Sequence, residues 1–307
     1  MITMFHSVNA VILMSLATLG WSLAECIGRN TVKYGDALTF NAIKLTSATL
    51  TLFITLSIIN ECFLGELPKL PWTILILVCF TGIITHLGNL IYYFTLKFVP
   101  LHIIAPIAHT DPYWTFFFAI VFLNESFDLR IPIAALLIIF GVRMLSKRSE
   151  RTDKANSKVL VGEALRTALL GLGVSLCWAL NTFLSKYCLK VGITISNLLL
   201  LKNTSASLMF LTLLTMRILI FNRVASGIKN KRFIIGSLGA GLCANVLGDL
   251  MFIIALTLTK ASRISIYSSL ILLYDFILSR LLLREKIGKF SIIGFVLITL
   301  AIIVVTI

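Results

Sequence analysis

The sequence predicts an all-α integral membrane protein, with ten transmembrane helices arranged as two inverted five-helix repeats. Three observations carry that expectation. Hydrophobic residues make up 58% of the 307 positions and charged residues 13%, with a mean hydropathy of +1.00. A soluble domain averages about 45–50% apolar and about 25% charged, so this chain would expose far too much apolar surface in water. Apolar runs long enough for a bilayer helix of about 20 residues recur along the chain. One long polar segment, Ser146 to Arg166, divides those runs five and five.

The runs cover residues 9–29, 37–59, 71–96, 101–122 and 131–146 before that segment. After it they cover 167–187, 194–216, 233–258, 263–282 and 290–307. Short gaps make consecutive helices antiparallel neighbours. Barrel strands are excluded, because the runs are too long and do not alternate. The first run reads as a helix in its own right, not as the core of a cleavable leader.

Charge gives the orientation. The net charge of +14 does not point to nucleic acid, because the basic residues sit in short gaps between apolar runs, without aromatic interleaving. Nineteen Lys and Arg fall in the gaps after runs 1, 3, 5, 7 and 9, and six in the alternate gaps. The central segment is therefore expected in the cytoplasm and both termini outside, in a plasma or inner membrane. The six cysteines form no C-x-x-C pair and read as buried small hydrophobes.

The halves repeat. Lys44-Leu-Thr46-Ser47-Ala48 matches Lys202-Asn-Thr204-Ser205-Ala206. Leu87-Gly88-Asn89-Leu90 matches Leu247-Gly248-Asp249-Leu250, and Leu123-Asn124-Glu125 matches Leu283-Arg284-Glu285. Trp21 pairs with Trp178. The offsets stay between 157 and 160 residues. Five helices is an odd number, so the second copy enters the membrane upside down. That is the plan of secondary transporters, with a site near the midplane between the halves.

This pattern resembles the drug/metabolite transporter superfamily in its ten-helix EamA-type form. The residues that carry the resemblance are Gly20-Trp21, Cys177-Trp178, Gly82 through Tyr93 into Phe98-Val99-Pro100, Pro112, Gly141, Gly241, Glu285 and Gly294. The resemblance implies residues 1–147 as a first EamA-like repeat, 148–166 as a basic linker and 167–307 as a second repeat. It also implies carriage of a small solute through a central cavity. Relatives often place Arg where Lys44 stands, and both termini inside, against the charge bias here. Leu272 replaces the counterpart of Pro112, so run 9 is expected straighter than run 4.

A charge at mid-membrane costs about 2.5–3.5 kcal/mol on insertion scales, so each one inside a run needs a reason. Lys44 and Lys202 occupy matched repeat positions. Either they hold an anionic group of the solute across a central cavity, or each snorkels or pairs with a carboxylate. Glu25 shares a helix face with Trp21 and Arg29. It is either a local partner of Arg29 or a proton-coupling carboxylate.

His86, Asn89 and Tyr93 form a polar stripe on run 3, and Asn245 and Asp249 form one on run 8. Lipid cannot satisfy such stripes, so they face the bundle interior, as cavity lining or as packing contacts. Run 4 carries His102, Pro106, His109, Asp111 and Pro112. Proline frees backbone carbonyls and kinks the helix there, and His109 and Asp111 join Glu25 as proton-coupling candidates. Ser265, Ser268, Asp275 and Ser279 form the expected facing wall. Trp21, Trp178 and Asn181 complete the candidate cavity. No metal site is expected, because no ligand cluster surrounds the run-4 histidines. Glu125 and Glu285 are expected to cap or orient the next helix. Gly236, Gly239 and Gly241 read as close helix packing.

The leading function is a secondary active transporter, an exporter or exchanger, of an amino acid or another small polar or anionic solute by alternating access. No G-x-x-x-x-G-K-[ST] loop drives it with nucleotide, and no cofactor is implied. A membrane channel and an intramembrane enzyme are the rivals. Neither H-E-x-x-H nor G-x-S-x-G occurs, and no catalytic residue is expected. The partners expected are a small solute and the lipid bilayer. A monomer is expected, with a dimer left open.

Overall fold

The computed structural model describes residues 2–58, 71–99, 101–146, 157–221, 225–282 and 290–306, and among these there are helices and short connections but no strand. The helices are α1 (Ile2–Thr31), α2 (Ala37–Ile58), α3 (Trp72–Thr95), α4 (Leu101–Ala108), α5 (Asp111–Leu123), α6 (Arg130–Ser146), α7 (Ser157–Lys190) and α8 (Ile195–Phe221). They continue as α9 (Lys231–Gly241), α10 (Asp249–Leu258), α11 (Ala261–Ser268), α12 (Leu270–Leu282) and α13 (Phe290–Thr306). A π-helical stretch, Leu242–Gly248, joins α9 to α10. Lys69, Pro100, Cys62, Glu285 and residues 147–156 of the linker lie outside the described residues. So do the side chains of His102, Pro106 and Ser279.

Among the described residues, seven helical stretches are long and apolar enough to cross a membrane: 7–31, 37–58, 72–95, 165–190, 195–220, 231–258 and 261–282. Asp111–Leu123, Arg130–Gly141 and Ile292–Thr306 are apolar but shorter. Length alone therefore accounts for seven of the ten expected crossings. Their outward faces are apolar, with Ile58, Leu219 and Trp72 about three-quarters exposed. Such a surface suits lipid.

Local chemistry explains the breaks. Run 4 stops at Ala108 and restarts at Asp111, where Pro112 sits in the first turn of α5, the position that tolerates a missing N–H. The helix ends on Asn124 at φ 51°, a left-handed cap that asparagine accepts. Run 9 is also interrupted despite Leu272, but at one residue, Ser269, which keeps helical torsions (φ −62°, ψ −12°). The Ser265 and Ser268 hydroxyls donate to the carbonyls of Ser262 and Ser265. Such back-bonding bends a helix without proline. Run 8 is expected as plain helix. Its π-helical middle instead carries Asn245, immediately ahead of Asp249.

The two halves grip each other through reciprocal contacts. Gly82 of α3 lies so close to α8 that a Cβ there would overlap the Lys202 carbonyl and meet Ser205 Oγ. Gly241 of α9 lies the same way against the Lys44 carbonyl and Ser47 Oγ of α2. Gly88 packs on Cys177 and Trp178, and Gly248 packs on Trp21. Glycine permits these approaches because it lacks a Cβ. Gly236 sits against Thr31, but a Cβ on Gly239 would meet nothing, so that glycine is not a packing position. The α6 and α13 helices close the rim, with Gly141 against Ile298. Among the described cysteines, Cys26 and Cys188 are buried and Cys79, Cys177 and Cys243 half-buried, and none is joined in a disulfide.

Candidate functional site

Both halves contribute to a cavity of about 90 Å³ in the middle of the bundle. That is room for several waters. From the first half come Trp21 and Glu25 of α1, Lys44 of α2, and His86, Asn89, Tyr92 and Tyr93 of α3. His109 and Asp111 join them at the α4–α5 break. From the second half come Trp178, Asn181 and Thr182 of α7, Asn245 of the π-helical stretch, Asp249 and Phe252 of α10, and Ser268 of α11.

A hydrogen-bonded belt crosses this cavity. Trp178 Nε1 donates to Asn89 Oδ1 at 2.9 Å, and the Asn89 amide nitrogen meets His86 Nδ1 at 2.9 Å. The indole can only donate, so it fixes the Asn89 amide and makes His86 Nδ1 the acceptor. A neutral ring then carries its proton on Nε2, facing the Asn245 amide at 3.4 Å. Asn245 donates to Asp249 Oδ2 at 3.3 Å, and Trp21 Nε1 donates to Asp249 Oδ1 at 3.1 Å. Asn245 Oδ1 is buried without a hydrogen-bond partner, so turning that amide over would give the His86 proton its acceptor at the expense of the Asn245–Asp249 bond.

A second cluster lies beside the belt. Tyr92 donates to Glu25 Oε2 at 2.5 Å, and Glu25 Oε1 stands 3.5 Å from His109 Nε2. His109 Nδ1 faces Asp111 Oδ1 at 3.9 Å, and the ring stacks on Trp178 with centroids 4.8 Å apart. Ser22 donates to Asp275 Oδ1 at 2.5 Å. Glu25, His109 and Asp275 bring one ligand-type atom each within 4.8 Å of one another. The expectation that no ligand cluster surrounds the run-4 histidines therefore fails for His109. It failed because the carboxylates arrive from α1 and α12, far away in sequence.

The lysines are buried, each only 2% exposed. Lys44 lines the cavity and places Nζ 5.0 Å from the centre of the Tyr93 ring. Lys202 stands one layer back. It donates to Asn181 Oδ1 at 2.5 Å and to Ser185 Oγ at 3.3 Å, and does not itself line the cavity. Asp249 lies within electrostatic reach of both. Asp275 is likewise behind the wall, while Ser268 reaches it.

Trp21, Lys44, Asn89, Tyr93, Trp178, Asn181, Asn245 and Asp249 are thus brought together on the wall with Glu25, His109 and Asp111. Sequence reasoning missed Tyr92, Ser22, Thr182 and Phe252. Tyr92 follows Asn89 by three residues and Ser22 precedes Glu25 by three, so helical spacing carried both signals.

Comparison with known proteins decides the family. The profile of the EamA-like transporter family matches residues 8–147 and again residues 165–307. The chain belongs to the EamA-like transporter family. This EamA-like chain is accordingly a multi-pass, transporter-like membrane protein and not a member of an enzyme family. A solved structure titled "Crystal structure of protein" is similar with a TM-score of 0.71 at 13% identity, covering 96% of this chain and 95% of that one. At that identity the likeness shows the fold alone. No curated protein matches the chain.

Proposed function

We propose that this chain is a secondary active carrier of a small zwitterionic or anionic solute such as an amino acid, working as an exporter or exchanger by alternating access. The observation that carries this reading is the central cavity built from both halves, with buried groups of both signs. A carboxylate seated there meets Lys44, and an ammonium meets Glu25, Asp111 or Asp249. Tyr93, Trp178 and Phe252 supply apolar faces for the rest of the solute. The binding energy of these groups offsets the cost of keeping charge at membrane depth.

On this reading the ten helical runs all cross the membrane, and the second five are mounted head-down relative to the first. The reciprocal glycine and tryptophan contacts support that arrangement. The basic linker lies in the cytoplasm of a cell-membrane protein with both termini outside. The chain acts as a monomer, since one copy already encloses the site. Glu25, His109 and Asp111 carry the coupling proton.

Counterflow in proteoliposomes tests the reading. Purified protein preloaded with an unlabelled amino-acid mixture accumulates labelled amino acid transiently and saturably. Lys44→Gln raises KM more than it lowers kcat, because its charge binds substrate in the ground state. Unsaturable flux would favour a channel, and a Lys44→Gln carrier with unchanged KM would remove the anion-holding role.

A further inference from the structure

We propose that Glu25, His109 and Asp275 form a binding site for one divalent transition-metal cation of the Mn²⁺, Co²⁺ and Zn²⁺ class. This goes beyond the carrier reading and rests on side-chain geometry; the ion and the coupling proton use the same atoms of Glu25 and His109, so each excludes the other. The three residues come from α1, the α4–α5 break and α12, and are 5%, 6% and 4% exposed. Their ligand-type atoms lie within 4.8 Å of one another.

Two of those side chains point unpartnered polar atoms inward. His109 Nε2 and Asp275 Oδ2 are buried with no hydrogen-bond partner. The third, Glu25 Oε1, stands 3.5 Å from His109 Nε2. Meanwhile the other oxygen of each carboxylate is held from behind, and Asp111 lies opposite the other His109 nitrogen beyond hydrogen-bond distance. Tyr92 donates to Glu25 Oε2 and Ser22 donates to Asp275 Oδ1, both at 2.5 Å, and Asp111 faces His109 Nδ1 at 3.9 Å. A carboxylate on the far side of an imidazole, and hydroxyl donors on the far side of carboxylates, are how proteins orient metal ligands.

The ligand set selects the ion. One imidazole and two carboxylates, with no thiolate among them, suit a first-row divalent metal. Mg²⁺ and Ca²⁺ prefer oxygen donors throughout. Metal–ligand distances of about 2.0–2.2 Å put ligand atoms on one tetrahedral or facially coordinated ion about 3–3.5 Å apart, so the widest pair closes by more than about 1 Å on binding. Two carboxylates close together in a membrane interior repel, and a dication neutralises both. Glu25 and His109 also line the central cavity, which gives the ion a path in.

The test is Co²⁺ titration of the full-length chain in detergent, with any affinity tag removed, followed by visible absorption and calorimetry. One Co²⁺ per chain should bind, with d–d bands that Zn²⁺ abolishes and excess Mg²⁺ or Ca²⁺ does not. Glu25→Gln, His109→Gln and Asp275→Asn should each weaken binding by about 100-fold or more, and Tyr92→Phe by about 10- to 100-fold. His86→Gln, a cavity histidine outside the triad, should bind as the native chain does. Absence of saturable Co²⁺ binding by the native protein overturns the proposal without recourse to any variant. Binding that survives two of the three ligand substitutions in a protein that elutes as a single species overturns it equally. No solute enters the experiment, so its failure leaves the carrier reading standing, and failed counterflow leaves the metal site standing.

Discussion

Trp21 donates its indole N–H to Asp249 across the boundary between the halves, at 3.1 Å. Trp178 makes the mirror-image bond to Asn89 at 2.9 Å. Each tryptophan belongs to the first helix of its repeat, and each acceptor to the third. One contact is therefore made twice, as a pseudo-two-fold axis requires. The chemistry of the two copies differs, because one acceptor carries a carboxylate and the other a neutral amide. Bonds to charged acceptors are the stronger class, at about 1.5–3 kcal/mol against about 0.5–1.5 kcal/mol. Trp21→Phe is therefore expected to destabilise the fold more than Trp178→Phe does, when thermal unfolding in detergent is compared. Equal costs, or the reverse order, would show that the charge of Asp249 contributes nothing to the seam.

The glycines at the crossings give a sharper contrast. A Cβ on Gly82 or Gly241 would run into a backbone carbonyl, of Lys202 or of Lys44, which cannot rotate aside. Gly82→Ala and Gly241→Ala are expected to cost about 1–3 kcal/mol each by overpacking. A Cβ on Gly173 or Gly239, both inside helices, meets nothing within 4 Å. Gly173→Ala and Gly239→Ala are expected to be neutral or to gain up to about 1 kcal/mol, because alanine loses less backbone freedom. Unfolding midpoints of the four variants decide the point, and a stabilising Gly82→Ala would contradict the close crossing.

Much of this was legible in the chain, for reasons that particular residues make plain. Lys44 and Lys202 helped announce the repeat, since they fall at matched positions of runs 2 and 7 alongside the other ordered matches. Pro112 announced a kink in run 4, which the structure makes a full break between Ala108 and Asp111. The polar residues of α3 fell on one face because their spacing is helical. What the sequence hid was distance. Nothing local tells Asp275 that Ser22 and His109 are its neighbours, because those contacts span more than 150 residues of chain. The setback of Lys202 behind Asn181 is a matter of a few ångströms of tilt, which repeat symmetry does not reveal. The π-helical turns before Asp249 have no counterpart in α3 and no composition that marks them.

Asp36 predicts a pH dependence outside the membrane. It precedes α2 and accepts from the Thr39 backbone N–H and hydroxyl at 2.9 Å each, from Ser226 N at 3.2 Å and from Arg217 at 2.9 Å. Burial alone would raise its pKa, but the Thr39 bonds and then the Arg217 charge outweigh burial and hold it below the ordinary carboxylate value. A lowered folded pKa adds stability above the unfolded value, about 3.9, and loses it as pH falls through the folded one. Asp36→Asn keeps a capping oxygen and removes the charge. The variant is expected to lose up to about 1 kcal/mol at pH 7, with the gap narrowing below about pH 4. A gap that stayed constant across that range would mean the charge is irrelevant.

Glu125 was expected to serve the helix that follows it, yet that helix is served by Asp128, whose carboxylate accepts from Arg130 N at 3.1 Å. Glu125 instead reaches into the other half. It accepts from Ala261 N at 2.7 Å, from Ser262 N at 3.2 Å and from Ser262 Oγ at 2.6 Å, capping α11. Three further bonds cross the same seam, Lys190 to the Leu123 carbonyl at 2.9 Å, Lys260 to Ser126 at 2.5 Å and Arg263 to Asp128 at 3.2 Å. A carboxylate at a helix start satisfies orphan N–H groups and complements the helix dipole. Glu125→Gln turns one acceptor oxygen into a donor, so either Ala261 or Ser262 loses its partner. Hydrogen–deuterium exchange at residues 261–262 is expected to quicken about tenfold, the equivalent of about 1.4 kcal/mol of lost local protection. The variant should leave exchange in α6 unchanged, because Asp128 still caps it. Unaltered exchange at 261–262 would mean that the seam is held by Lys190, Lys260 and Arg263 without Glu125. Faster exchange confined to those residues would locate, at one end of the bundle, the contact that must part if the cavity is to open there.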